Sequence, residues 1–162
     1  MFKRAIVIGC PGAGKSVFAR KLRDKTGLPL CYLDRLFHRP DRTTVSRGEF
    51  DRALGEVLVR EKWIIDGNYL RTLPLRLRSC EKAFFFDLPV EDCLAGAAAR
   101  IGSAREDLPW VETEFDPDFR QYILDFPRDQ LPTIRSLLAA CPPVKVISFR
   151  SRQQADDWLE AL

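Results

Sequence analysis

The chain has 162 residues, enough for one domain with a real core. Its formal charge of +3 is too mild to demand nucleic acid or an anionic membrane as a partner. No apolar run approaches the roughly 20 residues of a membrane span, and Phe2 to Ile8 is too short for a signal peptide. Cys10, Cys31, Cys80, Cys93 and Cys141 are scattered and lack C-x-x-C spacing. They predict reduced thiols in a cytoplasmic protein with no zinc site.

The first predicted strand, 3–8, carries the β-branched run Ala5-Ile6-Val7-Ile8. Gly9-Cys10-Pro11-Gly12-Ala13-Gly14-Lys15-Ser16 follows, a complete G-x-x-x-x-G-K-[ST] phosphate loop. A helix continues through Val17, with Phe18 and Leu22 on one face. A loop of this kind is credible only between a strand and a helix, and both are predicted here. Gly9, Gly12 and Gly14 let the backbone curl and aim its N–H groups at phosphate oxygens. The positive end of the next helix adds to that pull. Lys15 reaches the β- and γ-phosphates, and the Ser16 hydroxyl is a ligand for Mg²⁺. Cys10 reads as a small tolerated residue within the loop.

Further strands are predicted at 29–33, 62–66, 82–87 and 144–149. Between them lie helices. Helix 46–61 opens with a Ser46–Glu49 capping box, and helix 90–101 stops at Gly102. The stretch 117–141 keeps a helical beat, but Pro127 and Pro132 predict a kink or two helices. The last helix opens with Ser151 and Gln154. Alternating strands and helices predict an α/β fold with a parallel sheet, in a single domain spanning 1–162.

In such sheets ligands sit beyond the carboxyl ends of the strands. Three predicted strands end in a carboxylate: Asp34, Asp66 and Asp87. Asp66 follows the apolar run Trp63-Ile64-Ile65, expected beside the first strand. A carboxylate there suits a water of the Mg²⁺ shell, since Mg²⁺ keeps several waters; the alternative is an Asx turn before Gly67. Asp34 suits proton acceptance from, or orientation of, an acceptor hydroxyl; the alternative is a helix cap before Arg35. Arg71, Arg76 and Arg78 are candidates for binding phosphate in a bidentate fork or for a solvated helix face. His38, the only histidine, reads as a loop residue.

Four stretches then carry a family resemblance. They are the phosphate loop, Leu33-Asp34-Arg35-Leu36-Phe37, Trp63 to Tyr69 with Arg71, and Phe85-Phe86-Asp87-Leu88-Pro89. Together they resemble adenylate-kinase-like P-loop proteins, closest to the group named DNA topology modulation proteins. The resemblance implies a three-layer P-loop fold with a five-stranded parallel sheet of order 2-3-1-4-5. It implies ATP and Mg²⁺ as cofactors, with Gly9, Pro11, Gly12, Ala13, Gly14, Lys15, Ser16 and Val17 around the phosphates. It places the acceptor region at about 34–62, a lid at about 102–118 and a base-binding turn near Arg150. Asp66, Gly67 and Arg71 match a pattern in which the arginine meets the acceptor phosphate.

The lid departs from the family pattern. Residues 103–118 hold one base, Arg105, against six acids. Arg100 and Arg120 flank the segment and are the expected clamp on the phosphates. The expected function is transfer of the γ-phosphoryl group of ATP–Mg²⁺ to a small acceptor, a nucleotide or a hydroxyl compound. The expected catalytic set is Lys15, Asp34, Asp66, Arg71, Arg100 and Arg120. Alternatives are a nucleic-acid-associated ATPase affecting DNA topology, which the charge does not favour, and a non-catalytic nucleotide sensor. No membrane partner is expected.

Overall fold

The computed structural model describes the backbone of all 162 residues and every side chain except that of Val144. Its parallel sheet consists of β1 (Arg4–Gly9), β2 (Leu30–Tyr32), β3 (Trp63–Asp66), β4 (Lys82–Phe86) and β5 (Val146–Phe149). The order is β2-β3-β1-β4-β5, as the resemblance implied. Predicted strand ends move by only one or two residues. The helices are α1 (Lys15–Thr26), α2 (Leu33–Phe37), α3 (Arg47–Leu58), α4 (Leu73–Ser79), α5 (Val90–Ala99), α6 (Pro117–Asp129), α7 (Leu131–Ala139) and α8 (Arg152–Glu160).

Strand order decides where the helices lie. The step from β1 to β2 runs one way across the sheet, and the step from β3 to β4 runs the other. Right-handed crossovers therefore put α1 and α4 on opposite faces. On the α1 face, Phe18 meets Phe84, Phe86 and Phe149 with ring centres 5.0, 5.3 and 5.3 Å apart. Phe84 and Phe86 are two apart on β4, so they share that face. Trp158 of α8 closes the cluster at 4.8 Å from Phe84. Truncating a ring so enclosed typically costs about 3–5 kcal/mol.

The caps form as the sequence suggests. Ser46 accepts a hydrogen bond from the Glu49 N–H at 3.1 Å, and Ser151 accepts one from the Gln154 N–H at 3.2 Å. The 117–141 stretch is two helices, but the break falls at Gln130. Pro127 lies inside α6, whereas Pro132 occupies the first turn of α7, where the missing N–H has no helical partner to lose. Asp34 is not a cap: Tyr32 caps α2, and Asp34 sits within its first turn. β1 stands between β3 and β4, so the crevice at its carboxyl end is the switch point where ligands bind in open sheets.

Candidate active site

The phosphate loop is built by close backbone approach. Gly12 has φ +83°, and a Cβ there would collide with the Cys93 carbonyl oxygen of α5. Gly96 of α5 is equally tight against the Gly12 carbonyl. The loop is also gripped from two further directions. Asn68, just beyond β3, donates through Nδ2 to the Gly9 carbonyl at 2.7 Å and accepts from the Gly9 N–H at 3.0 Å. Arg152 of α8 donates to the Gly12 and Asp92 carbonyls at 2.8 and 3.0 Å. Within this frame Lys15 Nζ donates to the Cys10 carbonyl at 3.0 Å. Burial lowers the Lys15 pKa, and the Asp66 charge opposes that. The neighbouring Cys93 thiol and burial push the Cys10 pKa up, which disfavours its thiolate.

Asp66 pairs with Val7 in the register of β3 against β1, which brings it beside the loop. Its Oδ2 accepts from the Ser16 hydroxyl at 2.5 Å, so the side chain serves the loop rather than an Asx turn. Its Oδ1 is buried without a partner. Burial pushes the carboxyl up to about 6, with Lys15 and Ser16 pulling the other way. An orphaned carboxylate oxygen next to a serine hydroxyl is hard-oxygen chemistry that fits the outer shell of Mg²⁺. Among the described residues no group of three His, Cys, Asp or Glu could hold a metal. Mg²⁺ held here would therefore draw its remaining oxygens from phosphate and water.

Two cavities meet at Lys15, Ser16, Arg100 and Asp107, which line both. One, of about 490 Å³, also touches Gly12, Gly14, Val17, Arg20, Gly96 and Arg152. The other, of about 310 Å³, also touches Pro11, Asp34, Asn68, Tyr69, Tyr122 and Gln130. Inside the second, the Tyr69 hydroxyl donates to Asp34 Oδ1 at 2.7 Å. Burial and the Asp34 charge raise the Tyr69 pKa, so the phenol stays a donor. Tyr69 holds φ +42°, a left-handed conformation that costs a tyrosine of order 1–3 kcal/mol. Arg76 over-determines that turn. Fully buried, it donates to the carbonyls of Gly67, Asn68 and Tyr69. Burial lowers its pKa to about 10, which still leaves it charged at neutral pH.

The acidic segment is tied down by its own Arg105 and by Arg23 and Arg35 from earlier in the chain. Arg105 pairs with Glu112 at 3.2 Å and lies 3.7 Å from Asp107. Glu106 takes Arg23 Nη1 and the Tyr32 hydroxyl, each at 2.9 Å. Arg35 donates to the carbonyls of Glu106 and Leu108. The segment therefore folds over the crevice despite its charge. Arg100 at the end of α5 has its guanidinium over the Phe119 ring at 5.9 Å, and its Nε is buried without a partner.

The structure brings together Lys15, Ser16, Asp34, Asp66 and Arg100. Gly9 is bonded to Asn68 and Ala13 is buried, while Pro11, Gly12, Gly14 and Val17 line the cavities. It does not bring three of the predicted arginines there. Arg71 turns away to a bidentate pair with Asp51 at 2.6 and 3.1 Å. Arg120 is exposed on α6, and Arg150 is exposed with its N–H donating to Gln154. Arg152, two residues further on, is the arginine of this turn that lines the cavity with Gly12, Gly14 and Gly96. Arg76 is structural and Arg78 exposed. His38 stands with its ring edge-on to Trp110, 5.2 Å between centres, away from the phosphate loop.

Sequence reasoning assigned no role to Asn68, Tyr69, Asp107, Gln130 or Arg152. Asn68 and Tyr69 carried a signal, following a strand end beside the loop. Asp107 and Gln130 carried none, being an acid among acids and a polar residue in a helical stretch.

No family model matches the chain. Adenylate kinase of Thermotoga neapolitana is 27% identical over 89 residues, covering 54% of this chain and 40% of that protein. Shikimate kinase of Bacteroides thetaiotaomicron superposes with a TM-score of 0.66 at 16% identity, covering 99% of this chain and 96% of that one. Shikimate kinase of Acinetobacter baumannii, solved with shikimate, gives 0.64 at 17% identity over 99% and 93%. A gluconokinase of Sinorhizobium meliloti gives 0.58 at 17% identity over 98% and 87%. The chain thus has the fold of the P-loop kinases, with weak sequence similarity to adenylate kinase over about half its length.

Proposed function

We propose that the protein is an ATP-dependent phosphotransferase with a small-molecule acceptor. The observation that carries this reading is the meeting of two cavities at Lys15, Ser16, Arg100 and Asp107. ATP phosphates rest on the N–H groups of the loop, with the rest of the nucleotide toward Gly96 and Arg152. The acceptor hydroxyl lies near Asp34. Its oxygen forms a bond to the γ-phosphorus as the bridging P–O bond to ADP breaks, and its proton passes to Asp34. Lys15 and Arg100 offset the charge on the transferring group. Mg²⁺, when bound through Ser16 and the water shell at Asp66, supplies charge neutralisation on the phosphates.

The basic run of α1 offers a nucleic acid little. Lys21 pairs with Asp156, Arg23 with Asp24 and Glu106, and Lys25 with the Leu159 carbonyl. No helix is long and apolar enough to cross a membrane. The deciding experiment follows ADP from ATP–Mg²⁺ across panels of nucleoside monophosphates, nucleosides and polyols. Acceptor-dependent ADP formation that vanishes in Lys15→Ala supports the reading. ADP release independent of every acceptor, or full activity in Lys15→Ala, overturns it. Retention of DNA on filters that weakens steeply with salt would support the nucleic-acid alternative instead.

A further inference from the structure

We infer that the acceptor is a polyhydroxyl ring compound without an anionic group, and that Gln130 helps select it. This rests on the phosphotransferase reading and narrows it. The cations facing the acceptor cavity are Lys15 and Arg100, and both also line the nucleotide cavity. They face the transferring phosphoryl group. The same cavity is lined by Asp34, Asp66 and Asp107. Neighbouring arginines that would otherwise take an acceptor phosphate or carboxylate are held by the protein. Arg71 is bidentate on Asp51, Arg35 is on two carbonyls, and Arg105 is on Glu112.

The way past Asp34 is no kinder to an anion. A cleft of about 480 Å³ adjoins it and carries Glu112, Glu114 and Asp116. Its Arg42 lies over the Trp110 ring at 5.6 Å. Of the other bases lining this cleft, Arg105 is held by Glu112 and Arg100 is shared with the two phosphate-side cavities, so a second negative group on the acceptor would be set against Glu114 and Asp116.

The remaining polar groups suit hydroxyls. Asn68 is engaged with Gly9, and Tyr69 with Asp34 Oδ1. That leaves Asp34 Oδ2, the Tyr122 hydroxyl and the Gln130 amide on the cavity wall. Gln130 stands at the break between α6 and α7, and its side chain does not cap α7. An amide offers both a donor and an acceptor, the pattern that reads a vicinal diol. Phe119 and the rings of Tyr69 and Tyr122 supply apolar faces for the C–H side of a ring. At about 310 Å³ the cavity lies at the small end of ligand pockets.

The test compares three panels with ATP–Mg²⁺: uncharged and amino-substituted sugars and cyclitols, nucleoside monophosphates, and the acids gluconate and shikimate. Turnover is expected in the first panel alone. Gln130→Ala is expected to raise the acceptor KM about tenfold, the size of one lost hydrogen bond, with the KM for ATP unchanged. Best turnover of a monophosphate or sugar acid overturns the inference, as does a Gln130→Ala acceptor KM equal to wild type. Saturation-transfer NMR on the protein with a non-hydrolysable ATP analogue separates the two readings. If no panel yields ADP but sugars bind and Gln130→Ala weakens them, the transfer reading fails and the site assignment stands. Binding of monophosphates in place of sugars, or binding of neither, overturns the assignment itself.

Discussion

The two sides of the crevice are made differently. The phosphate-loop side is a contiguous loop whose shape depends on backbone meeting backbone, as at Gly12 against Cys93. The side proposed for the acceptor is a convergence of side chains. Asp34 comes from α2, Tyr69 from the turn after β3, Asp107 from the acidic segment, Tyr122 from α6 and Gln130 from the α6–α7 break. Backbone donors bind any polyphosphate and tolerate little change. Convergent side chains can be exchanged singly, and under the proposed function selectivity between acceptors would reside in them. The same contrast separates two buried charges. Arg76 is fully hydrogen-bonded and holds the turn, whereas Asp66 keeps one oxygen unpartnered and is poised to meet a ligand.

Each side of this contrast can be broken in turn. Asp34→Asn should lower kcat by about 10²–10⁴-fold with the KM for ATP unchanged, as loss of a general base does. A kcat within twofold of wild type in a steady-state assay would remove Asp34 from the chemistry. Arg76→Ala should destabilise the fold by about 3 kcal/mol, since it strands buried carbonyls. Urea unfolding measures this, and an unchanged midpoint would mean that the turn at Tyr69 holds without its clamp.

Asp66→Asn should act in the opposite direction on stability. The folded carboxyl titrates at about 6 against an ordinary 3.8. Below pH 4 it is protonated in both states and costs nothing. Between 4 and 6 the folded chain keeps a proton that the unfolded chain releases, so stability falls as pH rises. Above 6 the ionised group costs about 3 kcal/mol, which the asparagine variant largely recovers while losing transfer activity. Thermal unfolding of both proteins at pH 4 and pH 8 checks this. Equal gaps at the two pH values would contradict the burial of an ionised Asp66. Arg71→Ala should matter least. Its pair with Asp51 is solvent-exposed and screened, so stability should barely move, and turnover should not change. A tenfold loss of turnover would put Arg71 back on the acceptor.

Much of the fold was legible because local rules were obeyed. Ser46 and Ser151 cap the helices they precede, and each of the five predicted strands forms. The candidate site was legible where a motif is contiguous, from Gly9 to Ser16, and where a carboxylate ends a strand, as at Asp66. It was not legible where a long side chain chooses among partners. Arg71 and Arg76 are five residues apart with the same chemistry. One faces solvent beside Asp51, and the other turns inward to the carbonyls of its own loop. Helix phase and the position of Asp51 on α3 decide that, and neither is read from spacing alone.

The acidic stretch shows the same limit. Its charge alone argues against lying over the crevice, yet Arg23 and its own Arg105 pair with Glu106 and Glu112, and Arg35 holds the Glu106 carbonyl. By itself the sequence determined the phosphate loop and the alternation of strands and helices, because each depends on neighbours within a few residues; it marked Asp66 as a strand-end carboxylate, and the pairing of β3 with β1 set that carboxylate beside Ser16. Tertiary structure decided which arginines face the crevice, that Asp107 and Gln130 enter it, and that the loop is gripped by Asn68 and Arg152. Those outcomes depend on contacts between residues far apart in the chain, which exist only once the sheet has ordered its strands.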